Sequence, residues 1–83
     1  MFKLEGDILY ITLPEGKTQA EILEDAKREL LAIEEKLYGL ELKLNGRITT
    51  SLALYLGHRL AHICKSVSIF DPKENSYILA VSH

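Results

Sequence analysis

The chain has 83 residues, 27% of them charged, and a formal net charge of −2, which fits one domain and no more. That balance argues against long duplex DNA and anionic membranes as partners, since both favour a strongly basic surface. The lone Cys64 cannot form an internal disulfide, no apolar run approaches the ~20 residues that span a bilayer, and no signal-peptide pattern is present, so a cytoplasmic protein is expected.

In chain order, residues 2–13 read as β structure, with a hairpin turn at Gly6-Asp7 and alternation of Ile8, Tyr10 and Thr12 against Leu9, Ile11 and Leu13. Pro14, Glu15 and Gly16 break it. Thr18 followed by Glu21 is a capping-box signature, and Ile22, Ala26, Leu30, Ile33 and Leu37 then recur at helical spacing. Charges fill the opposite face, with Glu24 and Arg28 at i,i+4 and Gly39 as the C-cap. Leu40 to Leu44 predicts a short strand and Asn45-Gly46 a turn. Thr49 or Thr50 caps a second helix running to about Lys65, apolar over much of its circumference and hence heavily buried, in the core or at a subunit contact. Ser66 to Phe70 is a buried-type strand, residues 71–75 are turn chemistry, and Tyr77 to Ser82 returns as the last strand. The order β(β)αβαββ predicts an α/β domain over residues 1–83, its sheet mainly parallel and closed by an antiparallel hairpin.

Reactive side chains are unevenly spread. Residues 1–46 carry six Lys or Arg against ten Asp or Glu and no histidine, while residues 47–83 carry four against two, with His58, His62 and His83. An anionic ligand therefore belongs to the back half. His58 and His62 stand one helical turn apart, a spacing that can chelate a metal. The zinc-protease version needs a glutamate after the first histidine, where this chain has Arg59. The plainer alternative is one core and one surface histidine. Asp71 ends a strand ahead of Pro72, a position that serves ligands in α/β sheets and equally starts ordinary turns. Arg47 precedes a helix whose free N–H groups attract anions, so it either binds phosphate or salt-bridges to the first helix. Cys64, in an apolar run, reads as core packing.

Strand direction constrains how these groups combine. In a parallel sheet Pro14, Arg47 and Asp71 fall at the carboxyl edge, whereas His62 and His83 finish at the opposite edge. A strand of about five residues spans roughly 17 Å. Either these residues are unrelated, or a complete site forms when the carboxyl edge of one subunit meets the histidine edge of another.

Taken together, Asn45-Gly46-Arg47, the helix ending in His62, Phe70-Asp71-Pro72-Lys73 and the closing Val81-Ser82-His83 resemble the small CRISPR-associated ring nucleases of type III systems, the Csx-three family. The likeness covers about residues 40–83; the front half matches in strand–helix pattern alone. It implies a minimal Rossmann-like fold related to the CARF ligand-binding domains. It also implies a homodimer whose dimers pair around cyclic tetra-adenylate, and manganese-dependent cleavage of that ring, with RNA exonuclease activity a further possibility. By position, it implies His62 and Asp71 as a metal-linked catalytic pair and His83 as a further catalytic group. Asn45, Gly46, Arg47 and Lys73 would hold the ligand. Lys73 departs from the arginine many relatives carry, replacing a bidentate fork with a point charge. The nucleophile is either water or the ribose 2′-hydroxyl. The competing expectations are a non-catalytic sensor of the cyclic nucleotide and a plain α/β dimerisation module.

Overall fold

The computed structural model describes residues 1–82. Two short strands open the chain, β1 (Phe2–Glu5) and β2 (Ile8–Ile11), joined at Gly6-Asp7 with Gly6 at φ 62°. Helix α1 (Gln19–Ile33) starts with the full capping box: the Glu21 amide donates to Thr18 Oγ1 and the Thr18 amide to Glu21 Oε1. It tightens into a 3₁₀ turn at Glu34–Lys36, so Gly39, at φ 75°, follows that turn instead of capping the α-helix. Strand β3 (Glu41–Gly46), helix α2 (Thr50–Ile63, capped by the Thr49 side chain), β4 (Ser66–Asp71) and β5 (Ser76–Ser82) complete the chain.

The strands lie in the order β1-β2-β3-β4-β5. The two inner ladders, β2–β3 and β3–β4, are parallel, and the outer two, β1–β2 and β4–β5, are antiparallel. The sheet is therefore mixed, where a mainly parallel one was expected, because each edge strand joins by a hairpin. Asn45 and Gly46 also depart from expectation. They form no turn but extend β3, opposite Tyr10 and Ile11. Gly46 has φ 132°, and a Cβ there would run into the Ile11 carbonyl oxygen, so glycine is required by the close approach of β2.

Both crossovers step one strand in the same direction, and right-handed connections then put both helices on one face of the sheet. Arg59 of α2 pairs with Glu34 in the turn that follows α1, and Lys27 Nζ of α1 lies 6.0 Å from the Tyr55 ring centroid. The core lies between helices and sheet. Leu9, Leu30, Leu37, Leu42, Leu52, Leu56 and Leu60 are fully covered there, each worth roughly 2 kcal/mol of burial. Helix α2 buries one face only (Leu52, Leu56, Leu60, Ile63) and leaves Leu54 77% exposed. On α1 the ion pairs run i,i+3, Lys27 with Glu24 and Arg28 with Asp25, where Glu24–Arg28 was expected. Among the described residues no helix is long and apolar enough to cross a membrane.

Candidate functional site

Helices on one face and parallel inner strands leave two unlike edges. At the carboxyl edge β2 runs into the Thr12–Gly16 loop and β3 into Arg47-Ile48-Thr49, ahead of α2. The two loops enclose an open cleft of about 490 Å³, lined by Ile11, Thr12, Leu13, Pro14, Glu15 and Arg47. The starts of α1 and α2 are joined nearby, Ser51 Oγ donating to Gln19 Oε1 over 2.7 Å.

Arg47 is exposed, and its guanidinium enters no ion pair or hydrogen bond among the described residues. Arg28 and Arg59, by contrast, each hold a carboxylate. The salt bridge from Arg47 to the first helix is thus not made. Arg47 lines the cleft two residues before Thr49, the cap of α2, and brings five N–H donors near a helix start whose first N–H groups lack intrahelical partners. An anion placed there meets a charge, a fork of donors and a helix start. Glu15, on the cleft's other wall, repels a phosphate but accepts hydrogen bonds from sugar hydroxyls or amino groups.

Asp71 ends β4 at this same edge. The register pairs Leu44 with Ile69, and two residues further on Gly46 and Asp71 finish neighbouring strands. Asp71 Oδ1 accepts from the Lys73 amide over 2.9 Å, the turn-starting role of an aspartate before proline. Its other oxygen has no hydrogen bond among the described residues. The Lys73 ammonium likewise enters no ion pair. Asn45 is engaged: its Nδ2 donates to Tyr77 Oη over 2.8 Å, on the sheet face away from the helices.

His62 belongs to the opposite edge. It occupies the last turn of α2, exposed, its ring 5.0 Å from that of His58 at 78°. Neither histidine is in the core, so the reading with one buried imidazole is wrong. The chain passes from His62 through Cys64 and Lys65 into the first residue of β4, so nearly the whole strand, five steps of about 3.3 Å, separates His62 from the level of Asp71. His83 lies outside the described residues. Among the described residues no three His, Cys, Asp or Glu side chains converge on a point that could hold a metal.

Cys64 is buried, its Sγ donating to the Leu37 carbonyl at 3.5 Å, and burial pushes its thiol pKa up to about 11. It is structural. Thr12 and Glu15 are cleft residues that the motif reading missed. Their signal was indirect: a loop with Pro14 and Gly16 directly after a strand that must pair with β3. Comparison with known protein families, curated proteins and solved structures finds no match.

Proposed function

We propose that this chain is a ring nuclease: a phosphodiesterase that binds cyclic tetra-adenylate at its carboxyl edge and cleaves it with groups from another copy. The observation that supports this most is the cleft beside Arg47, whose guanidinium is unpaired among the described residues while the other two arginines are tied to carboxylates. In this reading the fold is a minimal Rossmann-like, CARF-related domain. Its strand order runs without the reversal that makes a doubly wound crevice, so the ligand lies over the strand ends and not in a switch-point cleft.

The roles follow from chemistry. Arg47, backed by Lys73, neutralises the phosphodiester and the charge that develops on its oxygens in the transition state. Glu15 and Thr12 accept from ribose or adenine. Neutral His62, brought by another copy, takes the proton from the attacking hydroxyl, ribose or water, and Asp71 orients the reacting group. A manganese ion shared between copies would have His62 and Asp71 as its nitrogen and oxygen donors. The assembly is a homodimer whose dimers pair around the ring.

A second reading has its own support. Arg47 lies at the cleft, while among the described residues no metal-holding group forms around His62, whose ring packs on that of His58, which suits a sensor that holds the ring without cutting it. Labelled cyclic tetra-adenylate incubated with the protein, with manganese and with chelator, separates the two. Linear products that need manganese support the nuclease. Tight binding without cleavage supports the sensor, and no binding overturns both.

A further inference from the structure

Helix α2 turns two imidazoles outward near its end. His58 and His62 are four residues apart, about 6 Å along the axis, so both leave the helix on one side. Both are exposed, and their rings already meet at a centroid distance of 5.0 Å with the planes at 78°. Among the described residues neither ring has a hydrogen bond or an ion pair.

The surroundings suit a cation better than the sequence suggests. Arg59 directly follows His58 and would repel a metal, but its guanidinium is paired with Glu34. Lys65, the other cation at this end of the helix, faces Glu41 at 4.0 Å. His62 stands in the last turn of α2, where the helix dipole presents its negative end.

We propose that His58 and His62 together chelate a borderline divalent cation, zinc or nickel. This site is separate from the manganese that the proposed reaction would share between copies. With metal–nitrogen bonds about 2.1 Å long at a near-tetrahedral angle, two coordinated imidazoles have centroids about 5 Å apart. The two rings already have that separation. Rotation about the last side-chain torsion, which is broad for histidine, aims the nitrogens at a common point without moving the helix. The ligand type selects the metal. Neutral imidazole suits zinc and nickel, while manganese stands lowest in the affinity order and favours oxygen donors. No third His, Cys, Asp or Glu joins the pair among the described residues, so water or an incoming ligand fills the remaining positions.

One consequence rests on the ring-nuclease reading. A metal on His62 takes the lone pair with which that imidazole would accept a proton, so zinc at the pair opposes the cleavage that manganese supports. His58 has no part in the reaction itself and sets the sensitivity to zinc.

Titration calorimetry of zinc and of nickel into the untagged full chain, without nucleotide, tests the site. One ion per chain is expected, and manganese should bind far more weakly. His58→Ala should weaken zinc binding about 100-fold, the advantage that two linked ligands have over one. Leu54→Ala, one turn earlier on the helix, and His83→Ala should leave it unchanged. No zinc binding by the wild type overturns the inference, as does binding that survives His58→Ala or is lost in His83→Ala. For the consequence, cleavage of cyclic tetra-adenylate with manganese is followed at zinc concentrations that saturate the wild-type pair. Zinc should stop the wild type and spare His58→Ala, whose cleavage without zinc should match the wild type. Zinc that stops both variants overturns the inhibitory role. The calorimetry needs no nucleotide, so the metal site can stand while the nuclease reading fails, and the nuclease reading can stand while the metal site fails.

Discussion

The two edges of the sheet are built on opposite terms. At the amino edge polar groups are spent on one another: Arg59 on Glu34, Gly39 N–H on the Ile63 carbonyl, Lys65 N–H on the Leu40 carbonyl and Lys43 on Asp7. At the carboxyl edge Arg47 and Lys73 hold no carboxylate among the described residues, and a cleft opens beside Arg47. Unpaired basic groups are not confined there, since Lys36 is also without an ion pair among the described residues. At the carboxyl edge, Arg47 adjoins both a concave surface and a helix start. One edge closes the fold and the other is free to bind, while the exposed histidines stand on the edge that is otherwise closed.

Substitutions can break or sharpen that contrast. Gly46→Val should have the largest effect, about 3 kcal/mol or more of lost stability in urea unfolding, because a Cβ there meets the Ile11 carbonyl at an unfavourable φ of 132°. Arg47→Ala should change stability by no more than about 0.5 kcal/mol, yet weaken cyclic tetra-adenylate binding about 10- to 100-fold, the worth of a charged hydrogen bond to phosphate. Arg47→Lys should restore only part of it. Arg59→Ala should do the reverse, costing about 1–2 kcal/mol by leaving the largely covered Glu34 unpaired and sparing ligand affinity. If the two arginine variants behave alike, the contrast between the edges is wrong.

Titration should act most gently. The hydrogen bond from Lys43 holds Asp7 below its ordinary value of 3.8, and Lys17 and Arg28 do the same for Asp25. A carboxylate with a lowered folded pKa adds stability above its unfolded pKa and loses it as pH falls through the folded one. Denaturation midpoints should therefore hold from pH 7 down to about 4 and decline below. At the other end, Cys64 should resist thiol reagents at pH 8 in the folded protein, its thiol being pushed up to about 11.

What the chain reveals by inspection is local. The turn at Gly6-Asp7, the Thr18–Glu21 box and the Thr49 cap all depend on neighbours within four residues, and the structure has each of them. The placement of His62 away from Asp71 was equally legible, because it needs only chain direction and parallel crossovers. Asn45-Gly46 misleads for a physical reason: the pair is a strong turn signal, but here glycine answers a distant backbone, that of Ile11. The cleft arises from strands far apart in sequence, and alternation within one strand does not tell which of its faces the helices cover.

The central claim is that catalysis needs the carboxyl edge of one copy and the histidine edge of another. Mixing two inactive variants, His62→Ala and Asp71→Ala, and measuring cyclic tetra-adenylate cleavage tests it directly. If the edges meet between copies, random pairing leaves about one junction in four with both groups intact, and activity returns on mixing. If each variant is inactive alone and the mixture stays inactive after subunit exchange, the site is not shared and the account fails.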